Sequence, residues 1–204
     1  SNLTARLCWP FWMVDAIPLR SACCSGVELD GSRRIVLTNG MNLPPPPAGY
    51  EARLPRFAEE TRLCGVGRDA LGREVRLAVE AAAGWAAMQA EAERAGVKLL
   101  LLSGFRSVER QAEIVRKKLA AGQALADILR VNAYPGFSEH HTGRAVDVGS
   151  ADCEHLSEAF ASTREFAWLS EHAARFGFAL SYPRDNPYGI AYEPWHWCHS
   201  SARA

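Results

Sequence analysis

The amino-acid sequence predicts an α+β fold in which a largely antiparallel central sheet is flanked by helices. Helical and strand-like segments are mixed along the chain without a regular βαβ repeat, and the sequence contains no glycine-rich phosphate loop. The chain has 204 residues, no net formal charge and an ordinary apolar fraction. One domain with an extension is therefore expected, since a domain usually comprises about 150 residues.

Residues 1–60 are predicted to be an irregular N-terminal extension, and residues 61–204 to be the main domain. The extension contains too few apolar residues for a core of its own. Its segment "NLPPPPAGY" is a proline-rich spacer that should be extended and lie on the surface. The preceding "RRIVLTNG" predicts a short strand that ends at Asn39 and Gly40.

The first part of the main domain should contain two strands and a helix. "RDALGREVRLA" combines a turn signal at Gly72 with alternating apolar residues, which indicates a hairpin strand. The alanine-rich "VEAAAGWAAMQAEAERAG" predicts a helix that ends at Gly96. "VKLLLLSGF" is a continuous apolar run and predicts a central buried strand.

Further helices and strands complete the chain. "SVERQAEIVRKKLAAG" predicts a helix capped by Ser107 and ended by Gly122, and "ALADILRVN" predicts a shorter helix. In "STREFAWLSEHAARFG", Ser162 and Glu165 have capping-box spacing and Gly177 ends the helix. "FALSYP" and "IAYEPWHWCH" predict the last two strands.

Charge, hydropathy and cysteine spacing argue against several classes of protein. The balanced charge disfavours nucleic acid as the main partner. The sequence contains no run of about 18 apolar residues, so no transmembrane helix is predicted. Prolines and an aspartate interrupt the apolar N-terminus, which makes a poor signal-peptide core. No CxxC pair is present, so the spacing of a zinc finger is absent. The cysteines could form disulfides or be buried free thiols, and the sequence leaves both open for Cys8, Cys23, Cys24, Cys64, Cys153 and Cys198.

The segment "FSEHHTGRAVDV" carries residues suited to a metal site. Catalytic zinc prefers His nitrogen and carboxylate oxygen, with three protein ligands and one open position. His140 or His141 could ligate together with Asp147, but adjacent residues of an extended chain face opposite ways, so only one histidine is expected to do so. Gly143 allows a sharp turn between them, and a strand is a rigid mount for Asp147.

The C-terminal "YEPWHWCH" offers a third ligand in His196 or His199. Glu193, three residues before His196, is suited to be the general base of a hydrolysis, provided that the backbone kinks at Pro194. In "SGFRS", Arg106 follows a predicted strand and could hold a carboxylate or stabilise an oxyanion.

Each of these residues also has a purely structural interpretation. The two histidines could form a surface pair, and Asp147 could cap a turn or pair with a cation. Arg106 could be a solvated strand end, and Glu193 with Pro194 could form a turn. Jointly these interpretations do not explain why all of the residues lie at the ends of apolar strands, so the combination favours a catalytic metal site.

Three ordered motifs resemble the VanY-type D-alanyl-D-alanine carboxypeptidases, a family of zinc metallopeptidases whose relatives include D,D-dipeptidases and L,D-carboxypeptidases. The pattern S-x-H-x-x-G-x-A-x-D begins at Ser138 and E-x-W-H begins at Glu193. The pattern S-G-[FY]-R-S begins at Ser103 and is followed by Gln111. The resemblance covers about residues 65–199 and implies a Hedgehog/DD-peptidase-like fold.

The resemblance implies one Zn²⁺ ion held by His140, Asp147 and His196. It implies Glu193 as the general base and Arg106 as the group that stabilises the oxyanion or a bound carboxylate. It also implies that Ser138 and Gln111 line the substrate cleft, and that His141 is not a ligand but lies behind the ligands or on the cleft wall at the substrate.

The implied function is removal of the terminal D-alanine from peptidoglycan stem peptides by a zinc-activated water. L,D-carboxypeptidase and D,D-dipeptidase activity stay open, as does a non-catalytic zinc-bearing binding domain, although the presence of both Glu193 and Arg106 favours an enzyme. A structural zinc with Cys198 as fourth ligand is disfavoured because a three-ligand set is already complete. The substrate class implies a location in the periplasm or cell envelope, and the oligomeric state is open.

Overall fold

Residues 41–200 of the protein are described by a computed structural model, in which helices accompany two antiparallel sheets. The predicted α+β class is confirmed, because every strand pairing in this region is antiparallel. The strand predicted at residues 33–40 lies outside the described residues. In chain order the elements are α1 Tyr50–Arg53, β1 Leu63–Arg68, β2 Glu74–Ala78, α2 Val79–Arg94, β3 Leu100–Ser103, α3 Val108–Ala120, α4 Leu125–Val131, β4 Ala145–Gly149, α5 Arg164–His172, β5 Phe178–Leu180 and β6 His196–His199.

The two sheets differ in size and role. β1 and β2 form the predicted hairpin, and the larger sheet has the strand order β3-β4-β6-β5. β3 lies at an edge, so the prediction that "VKLLLLSGF" forms a central strand is wrong. Leu101 and Leu102 are buried as their apolar character requires, but burial does not specify strand order. The register places Asp147 of β4 opposite both Ser103 and His196, which brings polar residues of three strands side by side.

The main core is built largely from α2, α5 and the sheet strands. One face of α2 buries Ala81, Trp85 and Met88, and β4 is buried along its whole length. Complete burial of a large apolar side chain contributes about 1.5–3 kcal/mol, so Trp85 and Met88 anchor the helix. α2 ends just before Gly96, whose positive φ of 72° continues the chain out of the helix as predicted.

The helix starts agree with the sequence in one case and differ in another. Ser107 caps α3, because its hydroxyl oxygen accepts the N–H of Arg110. α5 is capped by Thr163, whose hydroxyl accepts the N–H of Phe166, so the predicted cap at Ser162 is wrong by one residue. Both residues carry a hydroxyl, and the spacing alone does not distinguish them.

A second core lies beneath residues 43–60, a segment that we call the strap. Tyr50 and Leu54 of the strap are buried with Tyr134 and Phe137, and the Tyr50 hydroxyl accepts the N–H of Tyr134 at 2.8 Å. Most prolines of the spacer are exposed as predicted, while the Pro44 carbonyl accepts the Tyr134 hydroxyl. The domain boundary at residue 61 stays a prediction, but the strap packs with the residues that follow it.

The strap also supports the motif that contains the histidines. The N–H of Phe57 donates to the carbonyl of Gly136, and the N–H of Glu60 donates to the carbonyl of His141.

In the described part of the chain, no helix is both long and apolar enough to span a bilayer.

Candidate active site

Three buried side chains meet where β4, β6 and the turn Glu139–Thr142 come together. Because Asp147 and His196 are partners in the β4–β6 register, Nδ1 of His196 lies 3.1 Å from Oδ1 of Asp147. Nε2 of His140 lies 3.2 Å from the other oxygen, Oδ2. One ligand atom from each of the three residues lies within 4.8 Å of the others, so the group can hold a metal ion.

Hydrogen bonds fix the orientation of both rings. Nδ1 of His140 lies 2.7 Å from the carbonyl oxygen of Gly104, which can only accept, so that nitrogen is protonated and Nε2 faces Asp147. Nε2 of His196 lies 2.9 Å from Oε2 of Glu139, which leaves Nδ1 towards Asp147. Such outer hydrogen bonds are typical of metal-ligating histidines. Two imidazole nitrogens and one carboxylate that face a cleft match a catalytic zinc site.

Burial and mutual attraction shift the pKa values of these groups. Burial lowers the pKa of His140, which favours the neutral ring that a metal requires. Burial also opposes the charged form of Asp147, but the two histidines outweigh this effect and hold its pKa well below the usual range. Burial lowers the pKa of His196, yet hydrogen bonds to Asp147 and Glu139 dominate jointly and raise it to about 10 in the metal-free protein.

The three residues line a cleft of about 380 Å³. Ser138, Glu193 and Arg106 line the same cleft, as expected for residues that contact a substrate. The cleft walls continue with residues from α3, α4 and the loops around the site, namely Lys118, Val131, Asn132, Ala133, Leu156, Tyr182, Ile190 and Trp195.

Glu193 lies in a turn and not on a strand. The prediction of a strand through "IAYEPWHWCH" is wrong for its first part, because β6 begins only at His196. The N–H of His196 donates to the carbonyl of Glu193 at 3.1 Å, and this turn at Pro194 provides the expected kink. Oε2 of Glu193 consequently lies 3.9 Å from Nδ1 of His196. Burial raises the pKa of Glu193 to about 7.

Arg106 is held rigidly at the end of β3. Its guanidinium donates to Oε1 of Gln111 at 2.9 Å and to Oγ of Ser103 at 3.2 Å, and lies 3.7 Å from Oδ2 of Asp147. Gln111 is almost completely buried, and its amide nitrogen donates to the carbonyl of Ala133 at 2.7 Å. The structure therefore places Gln111 behind Arg106 and outside the set of cleft-lining residues.

His141 also lies behind the cleft wall. Its Nδ1 donates to the carbonyl of Arg106 at 2.6 Å, and its Nε2 accepts the N–H of Gly136 at 3.1 Å. The side chain has no exposed surface. Both ring nitrogens are thus used by the backbone, which explains why only His140 of the histidine pair faces Asp147.

Sequence reasoning missed three residues at the site. Glu139 orients His196, and its one signal in the sequence was a position next to His140 inside the motif. The ring of Tyr182 lies 4.9 Å from that of His196, and Lys118 lines the cleft from α3. Neither residue belongs to a motif. Among the described cysteines, Cys64, Cys153 and Cys198 are free, and none of them joins the metal-binding group.

Comparison with known proteins adds to this geometry. The profile of the VanY family, described as D-alanyl-D-alanine carboxypeptidase, matches residues 74–202. A D-alanyl-D-alanine carboxypeptidase of Enterococcus faecalis is 31% identical over 173 residues, which are 80% of this chain and 57% of that protein. The chain spans between 38% and 53% of the other curated relatives that it matches.

Two solved structures share the fold. The LdcB LD-carboxypeptidase, solved to explain peptidoglycan recognition, superposes with a TM-score of 0.64 at 30% identity and covers 71% of both chains. A mutant of the D,D-pentapeptidase VanY in complex with Zn(II) superposes with a TM-score of 0.55 at 28% identity, covering 70% of this chain and 80% of the other. Since the family profile matches more than half of the sequence, the chain belongs to the VanY family of D-alanyl-D-alanine carboxypeptidases.

Proposed function

We propose that the protein is a zinc-dependent carboxypeptidase that removes the terminal D-alanine from peptidoglycan stem peptides. The observation that carries this proposal is the convergence of a His-Asp-His group, a buried glutamate and an anchored arginine in one cleft. The activity named for the enterococcal relative and the zinc in the VanY structure support the same conclusion. Since peptidoglycan is the substrate, we place the protein in the cell envelope.

His140, Asp147 and His196 are the proposed zinc ligands. His140 would ligate through Nε2 and His196 through Nδ1, because their other nitrogens are engaged by Gly104 and Glu139. When bound, zinc acts as a Lewis acid that acidifies a water molecule and polarises the scissile carbonyl. A set of three protein ligands that lines a cleft would suit a catalytic rather than a structural zinc ion.

Glu193 is the proposed general base. Its buried carboxylate lies beside His196 and faces the cleft, where it can take a proton from the attacking water. A pKa raised to about 7 by burial suits a group that must accept a proton and then release it. The same carboxylic acid can return that proton to the amine of the departing D-alanine.

Arg106 is the proposed electrostatic partner of the carbonyl oxygen. Hydrogen bonds to Gln111 and Ser103 hold its guanidinium in place before substrate arrives. A cation fixed where negative charge develops stabilises the transition state without reorganisation. Ser138, on the wall of the same cleft, is proposed to contact the peptide.

A second candidate function is L,D-carboxypeptidase action on stem tetrapeptides, which the likeness to LdcB favours. Mass spectrometry of a competition separates the two functions. The zinc-loaded protein is incubated with a muramyl pentapeptide, a muramyl tetrapeptide and free D-Ala-D-Ala. Loss of one alanine from the pentapeptide alone supports the proposal. Loss from the tetrapeptide, or splitting of the dipeptide, keeps the mechanism but changes the substrate, and no cleavage at all contradicts the proposed activity.

A further inference from the structure

We infer that Lys118 binds a carboxylate group of the peptide substrate and so contributes to specificity. This inference rests on the proposed function of the cleft. Lys118 lies on the last turn of α3, is half-buried, and lines the same cleft as Arg106 and Glu193. It contributes to the cleft wall from α3, the helix that also carries the buried Gln111.

Lys118 differs from the other basic side chains of the cleft in its partners. Arg106 is hydrogen-bonded to neighbouring side chains, and His140 and His196 both face Asp147. Within residues 41–200, by contrast, Lys118 makes no side-chain hydrogen bond or salt bridge. The three donors of its ammonium group are therefore not used by any described side chain or carbonyl group.

Two charged groups of the same cleft, Glu193 and Arg106, act on Lys118. Burial lowers the pKa of Lys118, the charge of Glu193 raises it, and the charge of Arg106 lowers it. A partly desolvated ammonium without a partner costs free energy, and an entering carboxylate offsets that cost with charge-assisted hydrogen bonds. A neutral or cationic substrate group would not offset this free-energy cost.

The substrate can present a carboxylate group at two positions. Every carboxypeptidase substrate carries a C-terminal carboxylate. A stem peptide whose third residue is diaminopimelate carries a second one on its side chain. The shared ligand chemistry is a carboxylate, and the two sources differ in their position along the peptide.

Lys117 provides a matched control. It lies on the same last turn of α3, where both lysines carry a charge that is favourable at the C-terminal end of a helix. Lys117 is exposed and lies outside the set of cleft-lining residues. A role in helix stability therefore predicts equal effects of the two positions, whereas a role in the cleft predicts an effect of Lys118 alone.

Peptide affinity is the measurement that tests the inference. Dissociation constants are measured by calorimetry on zinc-loaded Glu193→Ala protein, so that the pentapeptide stays intact. We expect Lys118→Met to weaken binding by about 10- to 100-fold, the usual effect of losing a charged hydrogen bond, and Lys117→Met to leave it unchanged. Equal dissociation constants for the Lys118→Met and parent proteins overturn the inference, as does absence of binding in the parent.

Modified peptides identify which carboxylate is bound. One peptide has an amidated C-terminus, and another has an amidated diaminopimelate side chain. The amide that weakens binding to the parent protein but no longer does so in Lys118→Met marks the partner of Lys118. If each amide weakens binding to the Lys118→Met protein by the same factor as binding to the parent protein, the inference is overturned. Failure of the proposed activity is seen separately, as absence of D-alanine release by the wild-type protein.

Discussion

The carboxylate of Glu139 lies 2.9 Å from Nε2 of His196, on the side of the ring opposite to Asp147. A half-buried acid outside the ligand set thus determines which nitrogen of His196 faces the metal position. Burial raises the pKa of this carboxyl group, but hydrogen bonds from His196 and Ser181 and the histidine charges jointly outweigh burial and lower it. The relationship predicts that the outer carboxylate contributes to metal affinity.

Glu139→Ala should weaken zinc binding by about 10- to 100-fold, the typical effect of losing an outer partner of a ligating histidine. Glu139→Gln should weaken it less, since the amide oxygen still accepts a hydrogen bond from Nε2. Competition with a metal-binding dye measures the affinity. Glu154→Ala, at an exposed site, is the control, and equal zinc affinities in the Glu139→Ala and control proteins would contradict the role of Glu139.

Zinc binding should release a proton from His196 near neutral pH. Its pKa is raised to about 10 in the metal-free protein, so the folded protein retains a proton that an unfolded chain, with a histidine pKa near 6.5, has lost. This contribution to stability is complete below the unfolded pKa and disappears as the pH rises through about 10. Zinc must displace the proton, so its apparent affinity should rise with pH over this range. Calorimetry in buffers of different ionisation enthalpy measures the release, and a heat independent of buffer would refute it.

Arg106→Ala should lower kcat by about 10²- to 10³-fold, as expected for loss of one donor to an oxyanion. Arg106→Lys should recover only part of the rate, because lysine lacks the planar fork that reaches both Gln111 and Ser103. Initial rates of D-alanine release are compared after zinc content has been verified. Arg110→Ala, which removes only an exposed pair with Glu113, should keep the wild-type rate. An unchanged kcat in Arg106→Ala would exclude this role.

Gly143→Ala should destabilise the protein more than Gly72→Ala. Both glycines have positive φ, 64° and 77°, which costs a side-chain-bearing residue about 1–2 kcal/mol. A Cβ at Gly143 would also lie 2.8 Å from the backbone nitrogen of Ala78 and from Leu63, whereas nothing lies within 4 Å at Gly72. Urea denaturation should show a loss of about 3 kcal/mol or more for Gly143→Ala. Similar losses for both variants would show that the close contact is relieved at no cost.

Local sequence patterns predicted the helices and the β1–β2 hairpin because those features depend on nearby residues. Gly96 and Ser107 mark helix ends through backbone conformation and capping, and the structure has both. The order of the strands depends on distant contacts, so the apolar run of β3 predicts burial but does not reveal that the strand lies at the edge of the sheet. Thr163, and not Ser162, caps α5, because sequence spacing does not distinguish two adjacent residues that both carry a hydroxyl group.

The site was predictable where spacing along the chain limits geometry. Asp147 and His196 fall in ordered motifs, and the β4–β6 register places them opposite each other. Gln111 was expected at the substrate but is buried behind Arg106, since motif membership does not distinguish a contact from its support. Lys118 reaches the cleft only through the packing of α3, which no local pattern records.

The rate of D-alanine release by zinc-loaded Glu193→Ala protein tests the central claim most directly. The substrate is a muramyl pentapeptide, and zinc content is measured on the same samples. Glu193 lies beside the proposed ligands without belonging to them, so the variant should retain one zinc ion per chain. We predict that the rate falls by about 10²- to 10⁴-fold, the usual contribution of a general base. Release at the wild-type rate from a protein that still holds zinc would contradict the mechanism.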